Sequence, residues 1–323
     1  MFSNPRLRGL LWQALLILAL AILLAVLVIN LNDNMARRGV SFGFDFLSNP
    51  AGFDIAERLI HYTADDSYWR ALLVGIMNTL RVAFLGVAMA TILGLIIAIG
   101  SLSINPLLSW LSRTYVEVIR NVPLLLQLFF WYLLLTSALP DPQTPLSILP
   151  YVFLSKNGIQ FPWFLEGEFP AIEMPELGPF GLVGGAALSP EFIALLLGLG
   201  IYTSAFIAEV IRAGVLSVAK GQTEAAAALG LTKWQQLRLV ILPQAMRVII
   251  PPVTNQFLNL TKNSSLAVAI GYPELVSVAT TTLNQTGRAV EAISILMLVY
   301  LSLSLITSFL MHRFEAATRL KGL

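Results

Sequence analysis

The sequence predicts an all-α, polytopic membrane protein with about six transmembrane helices. Of its 323 residues, 57% are hydrophobic and only 12% charged, whereas a soluble domain carries about a quarter charged residues on its surface. Mean hydropathy is +0.78. Apolar runs also recur at lengths close to the roughly 20 residues that cross a bilayer.

The expected spans are approximately Leu10 to Ile29, Ala71 to Ile99, Tyr115 to Leu139, Pro190 to Ile211, Val248 to Ile270 and Ala292 to Met311. The first follows Arg6 and Arg8 and could be taken for a secretory signal. Its long apolar core and the lack of a small-residue cleavage pattern make it a retained anchor. With the N terminus inside, the inner segments collect Arg6, Arg8, Arg113, Arg120, Arg212, Lys220, Lys233, Arg238, Arg247, Arg313, Arg319 and Lys321. The outer ones hold Arg37, Arg38, Arg58, Arg70, Lys156 and Arg288. This bias places both termini in the cytoplasm. Arg37 and Arg38 lie close to a span and run against it, although acidic residues from Asp33 to Asp66 accompany them.

The expected organisation is an anchor helix with an outer loop over residues 1–71, a helical domain over 72–312 and a cytoplasmic tail over 313–323. The outer stretch 140–189 is punctuated by Pro140, Pro142, Pro145, Pro150, Pro162, Pro170, Pro175 and Pro179, which disfavours long helices. Short interfacial turns are expected around Trp163 and Phe164. Asp141, Glu166, Glu168, Glu173 and Glu176 make this stretch acidic.

The hydrophilic stretch 212–247 has a pattern of its own. Thr223 can cap a short helix whose buried face would run from Ala225 to Ala228, and Gly230 lies where a glycine commonly ends a helix. Thr232 and Gln235 fit a capping box for a second helix. Trp234, Leu237 and Ile241 fall on one side of it, and Pro243 closes the segment.

Glu224-Ala-Ala, Gly230 six residues after the glutamate and Leu242-Pro243 about twelve after the glycine resemble the EAA coupling loop of ABC importer permeases. Val240 stands where that family often has Ile. Asn78-Thr79-Leu80, the stretch from Tyr115 through Arg120 to Pro123-Leu-Leu-Leu-Gln127, the stretch from Tyr202 through Glu209-Val-Ile-Arg212 to Gly214, and Thr261-Lys-Asn-Ser-Ser-Leu266 resemble the polar amino acid branch. The resemblance covers roughly residues 70 to 315. The N-terminal span and Ala51-Gly-Phe-Asp54 are most similar to permeases of the general L-amino acid or glutamate, glutamine and aspartate type.

The resemblance implies a type I ABC importer permease fold in a bacterial inner membrane. It also implies an ABC ATPase dimer, a second permease subunit (related or identical) and a soluble substrate-binding protein as partners. The latter could dock on the acidic stretch 140–189, which a merely solvated loop would explain equally. In that family Glu224 would orient the coupling loop, Ala225 and Ala226 would pack on the ATPase, Gly230 would allow the bend, and Leu242 and Pro243 would end the segment.

Charged groups in a lipid-facing helix cost roughly 2.5 to 3.5 kcal/mol on insertion scales, so polar residues there turn toward protein or water. Asn255, Asn259 and Lys262 recur at i, i+4 and i+7, with Gln256 and Asn263 on a neighbouring stripe. With Ser264 of the 261–266 run, Asn255, Asn259, Lys262 and Asn263 are the candidate substrate-pathway residues on an inward-pointing face. Lys262 or the amides would donate to a substrate carboxylate, and interhelical hydrogen bonding is the competing use. Pro251-Pro252 implies a kink or a late helix start, as a gating hinge or a static bend.

Glu117 with Arg120, and Glu209 with Arg212, repeat an acid-then-base spacing of i, i+3. They serve either an inner gate or dimer contact, or simple anchoring at the membrane border. Glu291 and Arg81 are expected to be interfacial. Glycines at 86, 94, 100, 198 and 200 permit close helix approach.

Several chemistries are excluded. No cysteine is present, no lysine sits in a phosphate-cradling G-x-x-x-x-G-K-[ST] loop, and His61 and His312 lie far apart. No catalytic or metal-ligating residue is therefore expected. ATP and Mg would be held by the separate ATPase. The basic residues are dispersed and form no patch for nucleic acid. An ion-gradient-driven secondary transporter would explain the buried polar groups but leaves the 224–243 segment without a role, as does a membrane-embedded enzyme.

Overall fold

The computed structural model describes residues 5–37, 43–164, 171–179 and 181–318. Arg38, Glu166, Glu168, Pro170, Arg319 and Lys321 fall outside them. Among the described residues, five helices are long and apolar enough to cross a membrane unbroken: Leu11–Asn30, Tyr68–Ser101, Pro190–Leu216, Lys233–Ile270 and Ala289–Ala316. A sixth span exists if a helix pair bent by 102° is counted as one.

The first span lies within α1 (Pro5–Arg37), and none of its residues from Leu11 to Asn30 is buried. A segment from Gly43 then leads to α2 (Tyr68–Ser101). That segment is more than a loop. Phe46, Ala51, Ile55 and Tyr62 are buried and form a core with Leu72, Leu275 and Val278. Its links into the bundle include Gly43 N donating to Glu291 Oε1 at 2.9 Å.

The third expected span is divided. α3 (Pro106–Asn121) and α4 (Leu124–Ala138) meet at Val122-Pro123, because proline lacks an N–H and forces its predecessor into an extended conformation. The Gln127 amide closes the break by donating to Ile119 O at 2.9 Å and Val122 O at 3.0 Å. α5 (Pro190–Leu216) is capped by Ser189, whose hydroxyl accepts from Phe192 N. α2 and α5 pack closely because Gly94 carries no Cβ: one placed there would sit 2.8 Å from Ile207 Cγ2. The main core gathers Val82, Leu128, Phe192, Leu195, Leu199 and Leu260.

After α5 come α6 (Lys220–Ala228) and α7 (Lys233–Gln236). A π-helical turn over Leu237–Ile241 leads from α7 into α8 (Leu242–Asn263). A 3₁₀ turn over Ser264–Ile270, α9 (Leu275–Thr286) and α10 (Ala289–Thr318) complete the bundle. The domain boundary expected at residue 312 falls inside α10. Pro251 and Pro252 sit within α8, which begins at Leu242, so the expected late start does not occur.

The stretch 140–189 is built of short strands. β1 (Leu146–Leu149), β2 (Val152–Ser155), β3 (Gly158–Phe161) and β8 (Ala186–Leu188) form an antiparallel sheet in the order β1-β2-β3-β8. β4 (Trp163–Phe164) pairs with β5 (Ile172–Glu173), and β6 (Glu176–Gly178) with β7 (Gly181–Val183). Trp163 and Phe164 thus belong to a ribbon rather than to interfacial turns. Ser155 pairs with Gly158 across the turn residues Lys156 and Asn157. Gly158 adopts φ +96°, which a side chain would resist.

Arg81 and Glu291, expected at the interface, are held inside. Glu291 is fully buried. Arg81 Nη1 donates to Glu57 Oε1 at 2.5 Å, and its guanidinium lies 4.2 Å from the centre of the Phe192 ring. Glu57 comes from the segment before α2 and also accepts from Ser189 Oγ.

Candidate transport site

The hairpin of α6 and α7 is shaped by its own sequence. α6 begins at Lys220, so Thr223 lies inside it and donates its hydroxyl to Lys220 O rather than capping. Gly230 adopts φ +75°. Gly230 N donates to Ala227 O at 2.9 Å and Leu231 N to Ala226 O at 3.2 Å, a pair of bonds that satisfies the last carbonyls of α6. Thr232 and Gln235 complete the capping box.

Pro243 does not close the segment. The π-helical turn ends at Ile241, Leu242 N donating to Leu237 O, and α8 runs on through Pro243 in its first turn. The Gln244 amide also donates to Val240 O at 3.0 Å. A wider turn with side-chain help tolerates the missing proline N–H.

The expected buried face of α6 reduces to one residue. Ala226 is 3% exposed, while Glu224, Ala225, Ala227 and Ala228 are exposed. Ala226 therefore packs within the hairpin, and Glu224 and Ala225 remain available to a partner. Leu229, Trp234, Leu239 and Leu242 are large exposed apolar side chains on the same unit. Leu229 and Leu239 belong to no motif, and Trp234 is exposed whereas Leu237 and Ile241, expected on the same side, are half-buried.

On α8, Asn255, Asn259 and Lys262 form an exposed stripe. This face, expected to point inward, lies on the surface of the single chain. Asn263 is half-buried. Ser264 is fully buried and donates its hydroxyl to Thr261 O at 2.7 Å, so it lies off the stripe. The opposite side of α8 packs inward through Ala245, Ile249 and Leu260. An amide and ammonium stripe at this depth cannot rest against lipid without loss.

The four charges of the paired motifs meet at one place. Glu117, Arg120, Glu209 and Arg212 border a cavity of about 260 Å³ between α3 and α5, together with Arg113 and Ser101. Arg212 grips Glu209 through two bonds, Nε to Oε2 at 2.8 Å and Nη2 to Oε1 at 2.6 Å. Glu117 and Arg120 do not pair with each other; the Arg120 guanidinium stands 5.0 Å from the centre of the Phe206 ring. Tyr115 OH fixes α3 against α5 through Ser204 Oγ at 2.8 Å. Among the described residues no group of His, Cys, Asp and Glu could hold a metal ion.

Spans with an exposed polar stripe, a charged cavity between two helices and a bent hairpin continuous with a span fit a transmembrane transport subunit. The chain belongs to the family of binding-protein-dependent transport system inner membrane components, whose model matches residues 90–320. It is 41% identical to the general L-amino acid transport system permease protein AapQ of Rhizobium johnstonii, over 97% of this chain and 92% of that protein. It is 34% identical to the glutamate/glutamine/aspartate/asparagine transport system permease protein BztB of Rhodobacter capsulatus, over 94% of this chain and 93% of that one. Among solved structures, one described as an amino acid ABC transporter with histidines matches with a TM-score of 0.56 at 29% identity. It covers 77% of this chain and 95% of its own.

Proposed function

We propose that the chain is a permease subunit of a type I ABC importer that moves polar L-amino acids across a bacterial inner membrane. The observation that carries this reading is the hairpin of α6 and α7: a built bend, exposed at Glu224, Ala225, Leu229 and Trp234, continuing as helix into a span. An ABC ATPase dimer holding ATP and Mg would bind that surface. The relatives' names supply the substrate class.

The outward stripe of Asn255, Asn259 and Lys262 supports a second permease subunit, whether a related chain or another copy. Two such stripes would face each other across the pathway and keep lipid out. The cavity at Glu117, Arg120, Glu209 and Arg212 offers both signs of charge to a zwitterion and serves as the inner gate. Positive-inside bias supports cytoplasmic termini, and a soluble binding protein would then deliver substrate at the end carrying the β-sheet. Lipid surrounds α1.

ATP-driven uptake by the reconstituted complex of permeases, ATPases and binding protein tests the reading. Uptake should need all of them, and transport by this chain alone under an ion gradient would overturn it.

A further inference from the structure

One residue, Ser189, separates the four-stranded sheet from the first turn of α5: β8 ends at Leu188 and α5 begins at Pro190. The connection has no slack. Leu188 pairs with Ile159 of β3, Gly158 packs so closely that a Cβ there would strike Leu188 O, and Pro190 is buried with its φ fixed. The Ser189 hydroxyl caps α5 by accepting from Phe192 N at 3.0 Å, and it donates to Glu57 Oε2.

Glu57 carries the link across to α2. Its other carboxylate oxygen accepts from Arg81 Nη1, and its backbone carbonyl accepts from Asn78 Nδ2 at 2.8 Å, both groups of α2. The segment that holds Glu57 is itself closed: Tyr62 OH donates to Phe53 O at 2.9 Å, and Ala51 N and Gly52 N donate to Asp66 O and Ala64 O. Glu57 thus ties the sheet, the start of α5 and α2 together at one point. The contact of Gly94 with Ile207 locks α2 to α5 deeper in the bundle, about 20 Å further along α2 at 1.5 Å per residue. Without Glu57, a displaced sheet would pull directly on α5 and leave the outer end of α2 behind.

We propose that Glu57 is a positioning residue that relays movement of the outer β-sheet into α2, so that docking of a loaded binding protein on that sheet moves α2 and α5 as one body. A carboxylate suits the role because it accepts from a hydroxyl and a guanidinium at once, and its charge strengthens both bonds. The inference rests on the permease reading, in which the binding protein arrives at the end carrying the sheet. It adds the route by which that arrival reaches the spans.

The test is ATP hydrolysis by the full complex in proteoliposomes, with binding protein added together with an equimolar mixture of L-amino acids. Ser189→Asp keeps a helix cap but removes the hydroxyl donor and sets two carboxylates side by side. Its maximal stimulation by binding protein should fall about fivefold, the lower end of ordinary coupling between sites, with the unstimulated rate unchanged. Binding of the same loaded protein to the nucleotide-free complex should stay within about twofold of wild type, since residues 57 and 189 are not exposed. Ser189→Thr, which keeps hydroxyl and cap, should behave as wild type.

The double change Glu57→Gln with Ser189→Asp exchanges donor and acceptor. The amide nitrogen at 57 donates to the carboxylate at 189 while the amide oxygen still accepts from Arg81, and stimulation should return to within about twofold of wild type. Where Ser189→Asp fails to assemble, Ser189→Gly, which caps a helix nearly as well as serine, should show the same fall. Full stimulation in either single variant, a loss matched by weaker docking, or a double change no better than Ser189→Asp would each overturn the proposal. Failure of the binding protein to stimulate the wild-type complex would instead strike the permease reading.

Discussion

Glu57 and Arg81 form an ion pair with an N–O distance of 2.5 Å, the two side chains being only 11% and 18% exposed. The carboxylate comes from outside the span and the guanidinium from within it, so the pair fastens the segment before α2 onto the bundle. Removing one partner of such a pair costs about 3–5 kcal/mol, because the other charge stays buried. Arg81→Leu should therefore lower the unfolding midpoint of the purified protein clearly more than the double change Glu57→Gln with Arg81→Leu. Equal losses would show that the pair carries little of the attachment.

The same carboxylate gives stability a pH dependence. Burial pushes the Glu57 carboxyl above its ordinary value of 4.5, while Ser189 and Arg81 pull it down. An acid with a raised folded-state value binds its proton more tightly in the fold than in the unfolded chain. Its contribution is therefore complete below 4.5 and is lost as pH rises through the raised value. Thermal unfolding followed from pH 4.5 upward should flatten in Glu57→Gln relative to wild type.

At the bend, Gly230 holds φ +75°, a conformation that costs a β-branched residue about 1–3 kcal/mol. Gly230→Val should reduce amino acid uptake at least about fivefold while ATP hydrolysis by the complex persists. The measurement is the ratio of substrate moved to ATP consumed, and an unchanged ratio would contradict the coupling role. A charge at the exposed Trp234, as in Trp234→Glu, should instead reduce co-purification of the ATPase.

In the charged cavity, Glu209→Gln leaves the Arg212 guanidinium without its two-bonded partner. Loss of a charge-assisted bond of about 1.5–3 kcal/mol predicts a roughly tenfold or larger fall in uptake. Restoration by exchanging the two charges would establish that the pair itself is needed, whereas simple border anchoring predicts near-normal uptake in both variants.

Sidedness can be read with single cysteines. Ser155 is 2% exposed and a poor reporter, but Glu176 is exposed in its ribbon. A thiol at Glu176 should react with an impermeant maleimide from outside intact cells, and one at Thr232 only after the membrane is opened.

Local signals were the legible ones. The capping box at Thr232 and the left-handed Gly230 are set by neighbours within a few residues, so sequence suffices. The break at Val122-Pro123 was equally local, but the apolar run across it reads as one span until the 102° bend is seen. Asn157-Gly158 carries a hairpin signal that the surrounding prolines obscure. The outward direction of the Asn255, Asn259 and Lys262 stripe depends on which side of α8 meets α2 and α5, and periodicity cannot give that. Glu57 with Arg81, and Glu274 with Tyr300, are joined across 24 and 26 residues by packing alone. No motif announces them.

The run from Lys233 to Ile270 contains no loop. A π-helical turn and two internal prolines lie within this rod without cutting it. The surface offered to the motor and the ammonium of Lys262 are consequently two stations on one stiff strut, about 40 Å apart at 1.5 Å per residue. A shove at one end has no slack to absorb it and must arrive at the other as a tilt or a slide.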